Sequence, residues 1–485
     1  MLTIIHGYAK NYNYKMSKMC YYINMDAESR ARRQSFRVIF SEIIMVITVI
    51  VTVVILALLV SGYWLNSNFE LERQGMLQIN SIPTGASVEV DGDAPWFQRT
   101  NTSKVLSSGE HEIVLTKDGY DSWSKTVTIS EGLLYRVNYP RLFLLNREKS
   151  EFYDASITTF ASVSPDRNSV LLTNNTTLWV LLKLDSEESK TTNVDIAKLT
   201  TFASVADGAE DGLFTGNIIS ANWDANCSHV LLEVGSANSS KEWLLLDVKN
   251  PAKSLNLTRE FAVDFDEVRI FDASANNLLG LSDNALRKID VSGRQISAPV
   301  ASGVKNYDFY ESEIIYATDN AIYVTKINSN DEPILISETP SAHPYITRFY
   351  DNKYIVIITA DSITLYKKDD LTEVFSQELA FSPDKIKIGQ GGGFIFMQSG
   401  TNVSVLDMEI LSIINWELDT DVYGWLDGNM IYNINDGKLI VYDYDGLNRR
   451  ELSSSVSAHF PVTITNDKWL YYLSDNSIIR EIIAQ

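Results

Sequence analysis

The chain has 485 residues, 45% of them hydrophobic and 21% charged, with a formal net charge of −21. That length exceeds one ordinary domain, and the apolar share is large enough to bury substantial cores. A surface so acidic repels phosphate backbones, which excludes sequence-blind nucleic-acid binding.

The first 37 residues run against this balance. Lys10, Lys15, Lys18, Arg30, Arg32, Arg33 and Arg37 face only Asp26 and Glu28, a surplus of +5 that leaves −26 on the rest of the chain. Residues 38–65 then read as a transmembrane helix, because "IIMVITVIVTVVILALLV" (Ile43 to Val60) contains no charge, glycine or proline. Its length suits about 30 Å of hydrocarbon. A cleaved signal peptide would have a shorter apolar region and an A-x-A site; Val60-Ser61-Gly62 is the nearest substitute, so an uncleaved signal-anchor is expected. "RARRQSFR" before the span and an acidic stretch after it place residues 1–37 in the cytoplasm and everything beyond 65 outside the cell. The lipid bilayer is thus an expected partner through residues 38–65. Cys20 and Cys227 then lie on opposite sides and cannot pair. Met16, Met19 and Met25 are alternative starts, and no function is placed on residues 1–24.

Residues 70–147 alternate with a period of two, as half-buried antiparallel strands do. Val88 and Val90 alternate with Glu89; His111, Ile113 and Leu115 alternate with Glu112, Val114 and Thr116; Val127 and Ile129 alternate with threonines. Turns are marked by Pro83 with Gly85, Asp91-Gly92, Ser108-Gly109, Asp118-Gly119 and Glu131-Gly132. In order and spacing, Pro83-Thr84-Gly85-Ala86, Val88 to Gly92, Leu106 with Gly109-Glu110-His111, and "KDGY" (Lys117 to Tyr120) resemble the PEGA domain, a small all-β module. Thr84 replaces the glutamate of the name, and the expected Thr-Pro near 100–103 reads Asn-Thr-Ser. The resemblance implies an extracytoplasmic, cell-surface setting and no defined ligand. His111 reads as a strand residue, with no acid or nucleophile beside it.

Residues 150–485 repeat one unit: an apolar strand, an Asp-Asn or Asp-Gly turn and a second apolar strand. It recurs in "LLGLSDNALRKID", "IIYATDNAIYVTKI", "MIYNINDGKLIVYD" and "LYYLSDNSIIREII", with four looser copies. Asn and Gly tolerate the positive φ of tight hairpin turns. The second strands are expected near residues 179, 243, 285, 321, 362, 402, 438 and 477. A repeat of about 40 residues with paired strands is the mark of a β-propeller, here of eight blades, with seven as the alternative. "SVADGAEDGLFTGN" reads as an insertion after the first unit. "SVSPDRNSVLL", "NWDANCSHVLLE" and "FSPDKIKI" resemble the Ser-Pro-Asp turns of WD40-like and TolB-like blades. The fold class is therefore mainly β throughout, apart from the anchor helix.

No catalytic, cofactor-binding or metal-ligating residue is assigned. Asp185, Asp247, Asp290, Asp407 and Asp443 recur after the second strands, where an aspartate caps a turn through its own backbone. "DYDG" (Asp443 to Gly446) and "DFDE" (Asp264 to Glu267) resemble the start of a calcium loop but lack its later ligands, which leaves calcium as the one cofactor not excluded. Histidines 6, 111, 229, 343 and 459 never take zinc-site spacing. "GQGGGF" (Gly389 to Phe394) reads as a tight bend rather than a phosphate cradle. Trp96-Phe97, Tyr307, Tyr423 and Trp425 are aromatic contact candidates or fillers between blades.

Two functions follow. The first is an extracytoplasmic binding or scaffold protein, with the PEGA-like domain as spacer and the propeller as platform for an envelope protein or polysaccharide. The second is a hydrolase or lyase acting in the propeller channel, which would need several carboxylates and a histidine to converge there.

Overall fold

The computed structural model describes residues 16, 40–58, 63–65 and 71–485, apart from 96, 157, 174–177, 196–216, 236–240, 330, 340–341, 421–422 and 459. The basic segment 1–37 (Met16 apart), the expected insertion and Trp96 lie outside the described residues. The chain is mainly β and forms two compact units. One holds residues 1–78, 103–111 and 127–135; the other holds 79–102, 112–126 and 136–485.

In the first unit, Phe40–Leu58 forms a helix of 19 residues with no part of it buried in protein. At 1.5 Å per residue it rises about 28 Å. Its two threonine hydroxyls are satisfied internally, Thr48 Oγ1 donating to the Ile44 carbonyl and Thr52 Oγ1 to that of Thr48, both at 2.8 Å. That arrangement suits a helix with no water beside it. The expected span of 38–65 is too long at its C-terminal end. Tyr63–Leu65 is a strand, paired antiparallel with Leu71–Ile79 so that Tyr63 faces Arg73. Aromatic and branched residues favour a pleated ladder, which satisfies their backbone groups as a helix would. His111 is buried in its strand, with Nε2 2.9 Å from the Ser107 carbonyl.

In the second unit, Ser87–Val90 pairs with Gly109–Thr116, setting Val88 opposite Leu115 and Val90 opposite Ile113. All four of these side chains are buried. Gly85 lies at φ 79°, a conformation that costs a glycine little. Ala86 follows with no exposure, and its N–H donates to Thr100 Oγ1 at 3.0 Å. Ser81 Oγ donates to the same oxygen at 2.7 Å. Thr100 thus ties the entry to this sheet. Replacing it by valine orphans the buried Ala86 N–H, while Ser81 Oγ keeps the Pro83 carbonyl at 2.7 Å, an expected loss of about 1–3 kcal/mol in denaturant unfolding; a loss below about 0.5 kcal/mol would refute the role.

Beyond residue 148 the described residues form eight four-stranded antiparallel sheets. Their second hairpin strands begin at residues 178, 241, 285, 322, 362, 402, 438 and 477, within two residues of every expected position. The turns at Asp283-Asn284, Asp436-Gly437 and Asp475-Asn476 have positive φ at both residues. The hairpin at Asp319-Asn320 differs. Its loop is longer, and Thr318 closes it by donating its N–H to the Ala321 carbonyl at 2.8 Å and accepting the Ala321 N–H on Oγ1 at 3.2 Å. Seven sheets use consecutive strands. The eighth joins Thr463–Thr465, Trp469–Ser474 and Ser477–Ile482 to Lys149–Asp154, with Ser477 opposite Asp154. Leu231 and Leu245 of the second sheet share an apolar core with Val268 and Leu278 of the third. Phe152, Tyr471 and Ile478 of the eighth share one with Val170 and Leu182 of the first.

Segments 112–126 and 136–147 belong to this same unit, so the compact units do not follow the expected division between 70–147 and 150–485. Trp123 is fully buried, and its Nε1 donates to Asp443 Oδ2 at 2.6 Å. Lys125 pairs with Asp445 at 2.5 Å and donates to the Tyr444 hydroxyl at 2.9 Å. Arg141 pairs with Asp427 at 3.1 Å and with Asp467 at 2.6 Å; Arg147 pairs with buried Glu481 at 2.6 Å. Such charges tolerate burial only because each is paired.

Candidate functional site

In the first strands of four sheets, side chains two residues apart are turned to one side by the pleat. Four such pairs from consecutive sheets line one cavity of about 590 Å³. Ser220 and Asn222 come from Asn217–Trp223, Glu267 and Arg269 from Glu267–Ile270. Tyr307 and Phe309 come from Asn306–Tyr310, His343 and Tyr345 from His343–Phe349. Trp223 and Trp243 extend the aromatic wall.

Arg269 is the centre of this cavity. Its Nη1 donates to the Tyr307 carbonyl and its Nη2 to Asp308 Oδ1, both at 2.9 Å. The guanidinium lies 5.3 Å from the Tyr307 ring centroid and 4.9 Å from that of Phe309. Burial is the largest influence and opposes its charge, but Asp308, Tyr307 and Glu267 together outweigh it and raise its pKa. Asp308 is held in turn, accepting the Ile346 N–H on Oδ2 at 3.0 Å. Enclosure lifts the Glu267 pKa above the usual carboxylate range, with Arg269 opposing. Burial pushes the Tyr345 phenol up to about 12 and that of Tyr307 well above its ordinary value. Glu233 accepts from Ser220 Oγ at 3.0 Å and pairs with Lys241 at 2.7 Å. The cavity therefore offers one fixed cation, aromatic faces and carboxylates already engaged by neighbours.

Of the aspartates that recur after second strands, three cap turns. Asp247 Oδ1 accepts from the Lys249 and Asn250 N–H groups, Asp290 Oδ1 from that of Gly293 and Asp407 Oδ1 from that of Glu409. In "DYDG", Asp443 is taken by Trp123 and Asp445 by Lys125. In "DFDE", Asp264 and Asp266 are exposed while Glu267 lines the cavity. Among the described residues no three His, Cys, Asp or Glu side chains form a group that could hold a metal ion. His229 Nδ1 lies 3.2 Å from Asp224 Oδ2, and Cys227 is a free thiol. In the glycine run, a Cβ on Gly392 would meet the Arg348 carbonyl at 2.2 Å, so close backbone approach requires glycine there. Tyr423 and Trp425 pack on Phe396 of the neighbouring sheet, 5.6 and 5.7 Å between centroids, as fillers do. Among the described aromatic candidates only Tyr307 lines the cavity around Arg269. Arg269, Asp308 and Tyr345 carried no sequence motif; the one signal for Arg269 and Tyr345 is the i, i+2 spacing with Glu267 and His343 in strands upstream of an apolar hairpin, and Asp308 had none.

No curated protein matches the chain significantly in sequence. Among solved structures, PorZ, described as an essential bacterial surface component of the type-IX secretion system of Porphyromonas gingivalis, is similar at 13% identity and a TM-score of 0.40. That match covers 67% of this chain and 42% of PorZ, so the chain spans less than half of PorZ's length. Kluyveromyces lactis Hsv2 is similar at 8% identity and a TM-score of 0.41, over 61% of this chain and 98% of its own. Residues 74–141 match the PEGA domain, the module that the turn and strand spacing of this stretch resembles.

Proposed function

We propose that the chain is a single-pass, membrane-anchored binding protein of the cell surface, with a cytoplasmic N-terminus. Its eight sheets are read as blades of a β-propeller whose inner strands bind an envelope polysaccharide. The closing strand Lys149–Asp154 and the core shared by the eighth and first sheets support the propeller reading. The apolar helix and the PEGA match support the location. The binding reading rests on one observation, the convergence of four i, i+2 side-chain pairs around the fixed Arg269. Aromatic faces stack on sugar rings, and prepaid positioning of a charged donor favours binding.

Two experiments test it. An alkaline phosphatase fusion after residue 75 is expected to be active in a bacterial host and one after residue 35 inactive; the reverse would overturn the orientation. Detergent-solubilised full-length protein is expected to retain envelope polysaccharide, with at least tenfold weaker retention for Arg269→Ala; equal retention would refute the site.

A second reading, hydrolysis or lysis of the same polymer, is favoured by the raised pKa of Glu267 in a cavity that His343 also lines. A general acid needs such a shift. Incubation with envelope polysaccharide is expected to release no fragments from either wild type or Glu267→Gln. Release that disappears in the variant would replace binding by catalysis.

A further inference from the structure

The charges around Arg269 do not balance. Its one guanidinium is shared by two carboxylates, with Nη2 2.9 Å from Asp308 and Nε 4.0 Å from Glu267. Glu233 of the same wall is neutralised by Lys241 at 2.7 Å. Counting His343 as neutral, these described residues set three acids against two cations and leave one negative charge over. Asp308 has both oxygens engaged, one by Arg269 and one by the Ile346 N–H, so the surplus falls on Glu267. The Glu267 side chain lines the cavity and is 45% exposed, within reach of a ligand. Stretches outside the described residues bring no surplus cation by sequence. Residues 236–240 and 340–341 hold no ionisable side chain, and 196–216 holds Asp207, Glu210 and Asp211 against Lys198.

Tyr307 adds an unmet hydrogen bond. It lines the cavity at 6% exposure, and its hydroxyl has no hydrogen-bond partner. Burial first, then the Glu267 charge, raises its pKa, so the phenol keeps its proton within reach of that carboxylate's field. A buried hydroxyl without a partner costs free energy that a polar ligand atom would recover.

Resting on the polysaccharide reading, we infer that the polymer bound here carries amino sugars without the N-acetyl group, one ammonium lying at Glu267 and the Tyr307 hydroxyl. An ammonium is attracted by a carboxylate and by aromatic faces such as Trp223 on the same wall. An N-acetylated or acidic sugar leaves the surplus charge unmatched. The chain's net charge of −21 also steers a polycation towards it.

Calorimetry on the detergent-solubilised full chain at pH 7 compares a glucosamine oligosaccharide with its fully N-acetylated form of equal length. The amino form is expected to bind at least tenfold more tightly. Glu267→Gln keeps the side chain's shape and is expected to weaken the amino form at least tenfold while leaving the acetylated form unchanged. Tyr307→Phe keeps the ring and is expected to weaken the amino form at least threefold. Trilysine is expected not to compete at equal concentration. Equal binding of the two oligosaccharides, or no binding of either at millimolar concentration, would overturn the inference. So would a preference that survives Glu267→Gln, because attraction to the acidic chain as a whole would then explain it. Effective competition by trilysine would assign the site to a peptide and overturn the sugar. The polysaccharide reading fails separately: Arg269→Ala would then retain envelope polysaccharide as wild type does, whatever the two oligosaccharides show.

Discussion

Replacing Arg141 by methionine is expected to lower unfolding stability by about 3–5 kcal/mol, the usual consequence of breaking a buried charge pair. The side chain is 3% exposed and its partner Asp427 10% exposed, so water cannot take over the carboxylate when the guanidinium is gone. Asp467 is 60% exposed and is expected to rehydrate at little cost. The double replacement Arg141→Met with Asp427→Asn should therefore recover part of the loss, because the buried carboxylate charge is gone while Arg167 also loses the attraction of Asp427. Denaturant unfolding of the three proteins, followed by tryptophan fluorescence, measures both effects. A single-variant loss under about 1 kcal/mol would show that residues 136–147 are not tied to the sheets through this pair.

Asp443 is expected to make stability fall as pH rises. Burial, with help from the nearby Asp445 charge, pushes its pKa up to about 7, against the hydrogen bonds from Trp123 and Asn448 and the charge of Arg450. Its Oδ1 is buried without a hydrogen-bond partner, as suits a protonated carboxyl. In the unfolded chain the group titrates near 3.9. Between those values the native state binds the proton more tightly, so the contribution is complete below about pH 4 and is lost as pH passes through about 7. A shift of roughly three units corresponds to about 4 kcal/mol. Asp443→Asn keeps an acceptor for the Trp123 indole and carries no charge. It is expected to match wild type to within about 0.5 kcal/mol at pH 4, to exceed it by about 1.5 kcal/mol at pH 5 and by up to about 4 kcal/mol at pH 8.5. Parallel stability curves for the two proteins would remove the argument.

The two predictions concern the same region, and neither was visible from residue order. Trp123 and Asp443 lie 320 positions apart. In one dimension the first is an apolar residue of a small β module and the second a turn aspartate of a repeat. Turn capping explains Asp247, Asp290 and Asp407, whose acceptors stay local. It fails at Asp443 because a buried indole outcompetes the backbone of its own turn.

What the sequence by itself determined is what local chemistry controls. Period-two alternation set the strands, glycine and Asp-Asn pairs set most turns, and an uncharged apolar run set the helix, since each depends on a few neighbouring residues. Tyr63–Leu65 marks the limit of that reasoning, because only a partner strand distinguishes a short strand from the tail of a helix. The cavity around Arg269 and the burial of Asp443 were decided by tertiary structure alone. Each results from side chains tens to hundreds of positions apart excluding water from one another, and loss of water is what turns ordinary polar residues into fixed charges and shifted acids.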